Sequence, residues 1–276
     1  MTARANTTQL LLWCAMMVLL VLLVTPITWV LFSSFKDNTD IMNHPFSLPS
    51  TLSLANYISA LKIGKFYAFF SNTLYVTFFG LILGVGVATL AGYAFGQIRF
   101  WGREPLFYMF LLGLTLPSQT VIIPVFYLLK SMGLINTLWG VILASVGMGL
   151  SFGVFLMRNT FKGLPKELKE SAYMDGAGEW RTFLWVMLPL AKPALVALVI
   201  FTFNGLWNEY LLPLVVLIKP DKFTIAVGLT AFQSEQYTNY SIIFAGAVIS
   251  MIPSIILYLI FQRQFIEGLL SGAQKG

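Results

Sequence analysis

Side chains that could do chemistry are sparse in this chain and fall in three places. Asn204, Asn208 and Glu209 lie in or near an apolar run, where polar groups are costly and either line a solute path or bond neighbouring helices. Asn204 and Asn208 stand one helical turn apart and share a face, which suits a hydrophilic lining. Glu209 falls near the outer interface, which disfavours a proton relay. In a second apolar run, Leu116-Pro117-Ser118-Gln119 is an interruption, repeated at Pro124. Proline removes a backbone donor and clashes with the preceding turn, so a kink or break is expected. At membrane depth such a break is tolerated only where protein or a water-filled path satisfies the freed carbonyls, so Pro117 and Gln119 mark either a path or a packing kink. The third place, residues 164–193, is a charged stretch with its own capping signals.

None of these is a catalytic set. The one histidine, His44, stands in a polar loop without a second ligand, and the one cysteine, Cys14, lies inside an apolar run, so neither a metal site nor a disulfide within the chain is expected. The string nearest to a phosphate-binding loop, Ile63-Gly64-Lys65-Phe66, lacks the first glycine and the hydroxyl residue. Gly84 and Gly86 form a lone G-x-G with no strand before it. The chain is expected to be a non-enzyme without a cofactor of its own.

The elements that must position these residues are membrane helices. Hydrophobic residues make up 58% of the chain and charged ones 10%, with a mean hydropathy of +0.80, whereas soluble domains carry about 25% charge. Apolar runs long enough to cross about 30 Å of hydrocarbon occur at 10–32, 68–95, 105–129, 138–157, 194–217 and 241–261. The first is too long and too poorly followed to be a removable signal. The expected fold is all-α, one six-span membrane domain over residues 1–276 with a loop at 158–193. With the N-terminus inside, Arg4, Arg99, Arg103, Arg158, Lys162, Lys166, Lys169, Arg181, Lys192, Arg263 and Lys275 fall on the cytoplasmic side, as the positive-inside rule favours. Both termini and the charged loop are then cytoplasmic. The net charge of +6 is dispersed between apolar runs and lines no helix face, so nucleic acid is not an expected partner. Small residues at four-residue spacing, Gly80 with Gly84, Gly92 with Gly96 and Gly149 with Gly153, permit close helix packing. Residues 54–61 form a candidate surface helix, and 223–232 an apolar run too short to span.

Within the charged loop, Pro165 suits a first helical turn, Glu167 the positive helix end, and Gly176 a left-handed stop, so a helix is expected over about 165–174. Leu164, Leu168, Ser171 and Ala172 give it a narrow face with small members. A second segment over 179–187 places Trp180, Phe183 and Leu184 together; Pro189 ends it and Pro193 starts the fifth span. Helix connections usually need about 2 to 8 residues, so a longer ordered one suggests a docking surface.

Glu170-Ser171-Ala172, Asp175-Gly176-Ala177 and Leu188-Pro189 resemble the E-A-A...D-G-A...L-P loop of the membrane subunits of bacterial binding-protein-dependent ABC importers, with Ser171 where alanine is usual. The resemblance runs over nearly the whole chain and is nearest to the sugar-uptake branch. It is carried also by Ser33-Ser34-Phe35-Lys36, Asn72-Thr73, Ala91-Gly92-Tyr93-Ala94-Phe95, Asn204-Gly205-Leu206-Trp207-Asn208-Glu209-Tyr210 and the tail from Gly268. It implies a permease subunit in the bacterial cytoplasmic membrane. Its partners would be a second permease chain, ATPase subunits that bind ATP and Mg, and an extracytoplasmic solute-binding protein. The loop would couple ATPase closure to the membrane helices. Two other readings stay open on the residues alone: an ion-coupled secondary carrier, which would need paired intramembrane charges that are not evident, and a scaffold that holds a soluble partner.

Overall fold

The computed structural model describes residues 2–63, 65–230, 232 and 238–273, with side chains for 9–62, 65–230, 232 and 238–262. Arg4, Arg263, Lys275 and the tail from Gly268 lie outside the described side chains. The described residues form helices and no strand. They are α1 (Thr2–Ser33), α2 (Asn38–Asn43), α3 (Ala55–Ile63), α4 (Phe66–Gln97), α5 (Arg103–Leu112), α6 (Ser118–Ser131) and α7 (Leu138–Lys162). There follow α8 (Lys166–Met174), α9 (Glu179–Thr182), α10 (Leu188–Leu190), α11 (Lys192–Trp207), α12 (Leu211–Val216), α13 (Ile225–Thr230) and α14 (Tyr240–Ala273).

Four of these, α1, α4, α7 and α14, have the length and apolarity to cross a membrane alone. Side chains of α1 from Leu10 to Leu23 are largely exposed. Such a surface would aggregate in water, and hydrocarbon solvates it. The helices divide between two compact units, one comprising Met1–Tyr67 with Gly228–Ile252 and the other Ala68–Val227 with Pro253–Gly276.

In the first unit the polar segment after α1 is tied by a buried lysine. Lys36 is 3% exposed; its Nζ donates to the His44 carbonyl (2.8 Å) and to Ser47 Oγ (2.9 Å), with Asp40 at 4.0 Å. Asn56, on α3, donates to the carbonyls of Ser34 and Lys36 (both 2.9 Å), and Tyr57 shares a hydrogen bond with Ser34 Oγ (2.6 Å). The Ser34 to Lys36 stretch thus orders the loop by charge and backbone bonding. Trp29 packs edge-on against Phe244 of α14, ring centroids 5.1 Å apart.

In the second unit α4 and α7 run parallel, because each step along one matches a step along the other. Gly84 faces Val146, Ala88 faces Gly153, Gly92 faces Met157 and Gly96 faces Phe161. A Cβ on Gly92 would lie 2.9 Å from the Arg158 nitrogen, so the helix backbones touch there. Parallel neighbours require the chain between them to recross. At one end of the unit Phe107 of α5 packs with Phe95, Met157 and Phe161; at the other Leu129 of α6 packs with Val76, Val141 and Ile142. The α5–α6 pair, bent by 109°, is therefore a broken span. Leu116 and Pro117 adopt extended backbone and Pro117 caps α6, while Pro124 sits inside α6 without ending it.

The fifth run departs from the single helix over 194–217. It breaks at residues 208–210, with α11 packing Leu198 at the first end and α12 packing Leu212 and Val216 at the other. Pro213 cannot donate to the carbonyl one turn before it, so the ladder fails there. Pro189 likewise does not end the second loop helix. A π turn, Phe183–Met187, in which the Leu188 N–H reaches back to the Phe183 carbonyl, carries the chain through to Leu190, and Pro193 then opens α11 in its first turn. Of the face expected from Trp180, Phe183 and Leu184, only Phe183 is buried.

Candidate functional site

The loop between α7 and α11 is a folded element fixed to the ends of membrane helices. Helix α8 starts one residue after Pro165, which stands at the N-cap with non-helical backbone, and it ends before Gly176, whose φ of +79° lies in the left-handed region. The Ala177 N–H returns to the Ala172 carbonyl (2.9 Å) and the Gly176 N–H to that of Tyr173 (3.0 Å), the bonding that closes a helix on a left-handed glycine. Ala172 is 8% exposed and faces inward, so its small size serves packing within the chain. Glu170, Ser171 and Asp175 point to solvent, as does Met174, which is 88% exposed. Ala177 and Leu188 are half-buried, Leu188 against the cluster of Phe161, Phe183 and Met187, and Pro189 is exposed.

Glu179 is the hub that sequence reasoning missed. Its Oε1 accepts from Lys169 Nζ (2.8 Å) and Tyr93 OH (2.5 Å), and its Oε2 from Tyr173 OH. Lys169 also donates to the Gln97 carbonyl (3.1 Å), and Gln97 Nε2 to the Phe161 carbonyl (2.5 Å). One carboxylate therefore joins α8 and the start of α9 to the end of α4. Burial pushes the Glu179 carboxyl up, but the bonds from Lys169, Tyr173 and Tyr93 outweigh it and hold it below its ordinary value. Burial and the bond to Glu179 push the Tyr173 hydroxyl up. A second tie lies beside the loop: Arg158, 6% exposed, donates from Nη2 to both carboxylate oxygens of Glu104 (2.9 and 2.7 Å) and lies 3.8 Å over the Phe107 ring.

The residues expected along a solute path separate. Asn204 and Asn208 share an exposed face, and the Asn208 side chain donates to the Asn204 carbonyl (3.0 Å), capping α11. Glu209 accepts from the Leu212 N–H (3.2 Å) at the start of α12 and also lines a cavity of about 280 Å³ inside the second unit, with Ser118, Ser145 and Thr202 as its other polar walls. Pro117 and Gln119 are exposed and do not line that cavity, but Ser118 between them does, and its hydroxyl donates to Gln119 Oε1 (3.3 Å). The break at Pro117 thus brings a hydroxyl to the cavity wall. At the far end of α4, Asn72 donates to the carbonyls of Asp221 and Phe223 (2.8 and 3.0 Å), and Thr73 Oγ1 accepts from the Ile225 N–H (2.8 Å), holding the segment before α13.

Comparison with known proteins identifies the family to which this fold belongs. Residues 80–269 match the family described as binding-protein-dependent transport system inner membrane component. The chain is similar to the diacetylchitobiose uptake system permease protein NgcG of Streptomyces coelicolor, 37% identical over 91% of this chain and 84% of that one. It is similar also to the arabinooligosaccharides transport system permease protein AraQ of Bacillus subtilis, 33% identical over 94% and 93%. A chain from a crystal structure of a bacterial ABC transporter involved in the import of the acidic polysaccharide alginate shares the fold, with a TM-score of 0.85 at 23% identity over 96% of this chain and 99% of that one. A multi-pass helical chain with a tethered, capped loop between α7 and α11, this protein belongs to the family of inner membrane components of binding-protein-dependent transport systems.

Proposed function

We propose that this chain is one membrane subunit of an ATP-driven importer that carries an oligosaccharide into a bacterial cell. Its partners are a second permease chain, a pair of ATPase subunits that bind ATP and Mg, and an extracytoplasmic binding protein that delivers the solute. The loop at 158–193 and both termini face the cytoplasm, and the chain itself catalyses nothing. The observation that carries this reading is the Glu179 hub. A displacement of α8 by a partner cannot be absorbed by a slack loop, because Glu179 joins it to Tyr93 of α4 and Phe183 packs it against Phe161 of α7. The stiff, capped helix then moves with the membrane helices as a rigid body. Glu170, Ser171 and Asp175, the exposed members of the motif, are the surface such a partner meets, and Ala172 and Gly176 shape the helix behind them. Glu209 and Ser118 offer hydrogen-bond partners to sugar hydroxyls at the cavity, with Asn204 and Asn208 on the adjoining face. The oligosaccharide assignment rests on the permeases named for diacetylchitobiose and arabinooligosaccharides.

Uptake of labelled oligosaccharides by cells lacking this chain tests the proposal. Uptake should be lost on deletion, restored by the intact gene, abolished by ATP depletion and insensitive to collapse of the proton gradient. Uptake that follows the proton gradient instead would contradict it.

A further inference from the structure

A cleft of about 440 Å³ lies between the end of α4, the end of α7 and α8, and five cationic side chains line it: Arg99, Arg103, Lys162, Lys166 and Lys169, against one carboxylate, Glu170. Lys169 is occupied by Glu179, and Arg103 by Glu104. Among the described residues no carboxylate comes within ion-pair distance of Arg99, Lys162 or Lys166. Lys166 moreover opens α8, where the helix dipole disfavours a cation. Arg99, Lys162 and Lys166 thus leave the cleft with an excess of positive charge over Glu170, which an anion in the cleft would offset. The cleft is also at a definite depth. It sits where two spanning helices stop, at Gln97 and Lys162, and the turn that joins α4 to α5 carries Trp101, 98% exposed, the residue type that settles at the membrane–water interface.

We propose that this cleft binds the phosphate of an anionic phospholipid headgroup, seating a lipid of the cytoplasmic leaflet beside the loop. The inference rests on the cytoplasmic reading of the loop. A docked acidic protein surface would also meet the charge, but the interfacial depth and the exposed tryptophan favour lipid.

The test is native mass spectrometry of the full-length chain, with whatever co-purifies, released from nanodiscs of equal phosphatidylglycerol and phosphatidylcholine. Phosphatidylglycerol should be retained preferentially. Since each basic side chain near an anionic surface is worth roughly fivefold in affinity, Arg99→Gln, Lys162→Gln and Lys166→Gln together should lower the preference by on the order of a hundredfold. No preference in the unaltered protein, which needs no variant to fold, overturns the proposal, as does a preference that survives the triple substitution. Displacement of the lipid by millimolar inorganic phosphate would assign the cleft to a soluble anion and overturn the lipid reading. Loss of a co-purifying protein with lipid retention unchanged would assign it to a protein contact, with the same consequence. The side of the membrane is checked separately, by labelling Ser171→Cys in a Cys14→Ser background with an impermeant reagent in intact cells. Labelling from outside would sink the cytoplasmic reading on its own, whatever the lipid preference.

Discussion

Glu179 accepts from Lys169, Tyr173 and Tyr93, and so carries the connection between the loop and α4 on one side chain. Replacing it with glutamine removes the charge from three bonds at a half-exposed site, a loss of about 1–2 kcal/mol. Glu179→Gln should therefore raise amide exchange in α8 by roughly 5- to 30-fold while leaving α7 protected, as hydrogen exchange would read. The pH dependence has a definite sign. The carboxyl is held below its ordinary 4.5 in the folded chain, so its contribution is fully present above about pH 4.5 and is lost as pH falls through the lower folded value. Loop protection should stay flat from pH 6 to 8 and fall only in acid, and Glu179→Gln should remove that acid dependence. Of this site the sequence disclosed the local part. Gly176 announced its left-handed cap because glycine chemistry is local, whereas the Tyr93 to Glu179 bond joins residues 86 apart and left no periodic trace.

At the scale of elements, the packing of α4 on α7 turns on glycine. A Cβ on Gly92 would fall 2.9 Å from the Arg158 nitrogen and 3.0 Å from the Met157 carbonyl carbon, both backbone atoms that cannot swing aside, while Gly86 meets nothing within 4 Å. Gly92→Val should cost about 1–3 kcal/mol and lower the thermal midpoint of the extracted protein, with Gly86→Val near the unaltered value in the same melt. Gly176→Pro acts on the loop alone, since proline fixes φ near −65° where the chain needs +79°. The variant should remain inserted yet lose ATP-driven uptake, and Glu170→Lys should do the same through the exposed surface; normal uptake by both would remove the loop from the coupling role. The helix at 55–63 and the break at Pro117 were legible as a helical pattern and a proline within an apolar run. The break at 208–210 was not, because Pro213 acts a full turn upstream of itself and Asn208 and Glu209 read as a polar lining of a continuous helix. The π turn before Pro189 likewise has no signature in residue type.

For the whole molecule, the apolar runs were readable because a bilayer demands apolar length; four helices are long and apolar enough to cross alone, and up to six crossings result if each bent pair is one span. Parallel packing of α4 and α7 turns that count into topology, since it obliges the α5–α6 pair to cross between them. On the proposed function, a partner drives transport through the 158–193 loop. The most direct test is to place an affinity tag in an internal loop away from 158–193, extract the complex in mild detergent and identify by mass spectrometry what is recovered in stoichiometric amount. The account predicts an ATPase carrying a phosphate-binding loop together with a second polytopic membrane chain, with Glu170→Lys diminishing recovery of the ATPase and leaving the membrane pair intact. Recovery of this chain alone, from cells whose uptake continues after ATP is depleted, would contradict it.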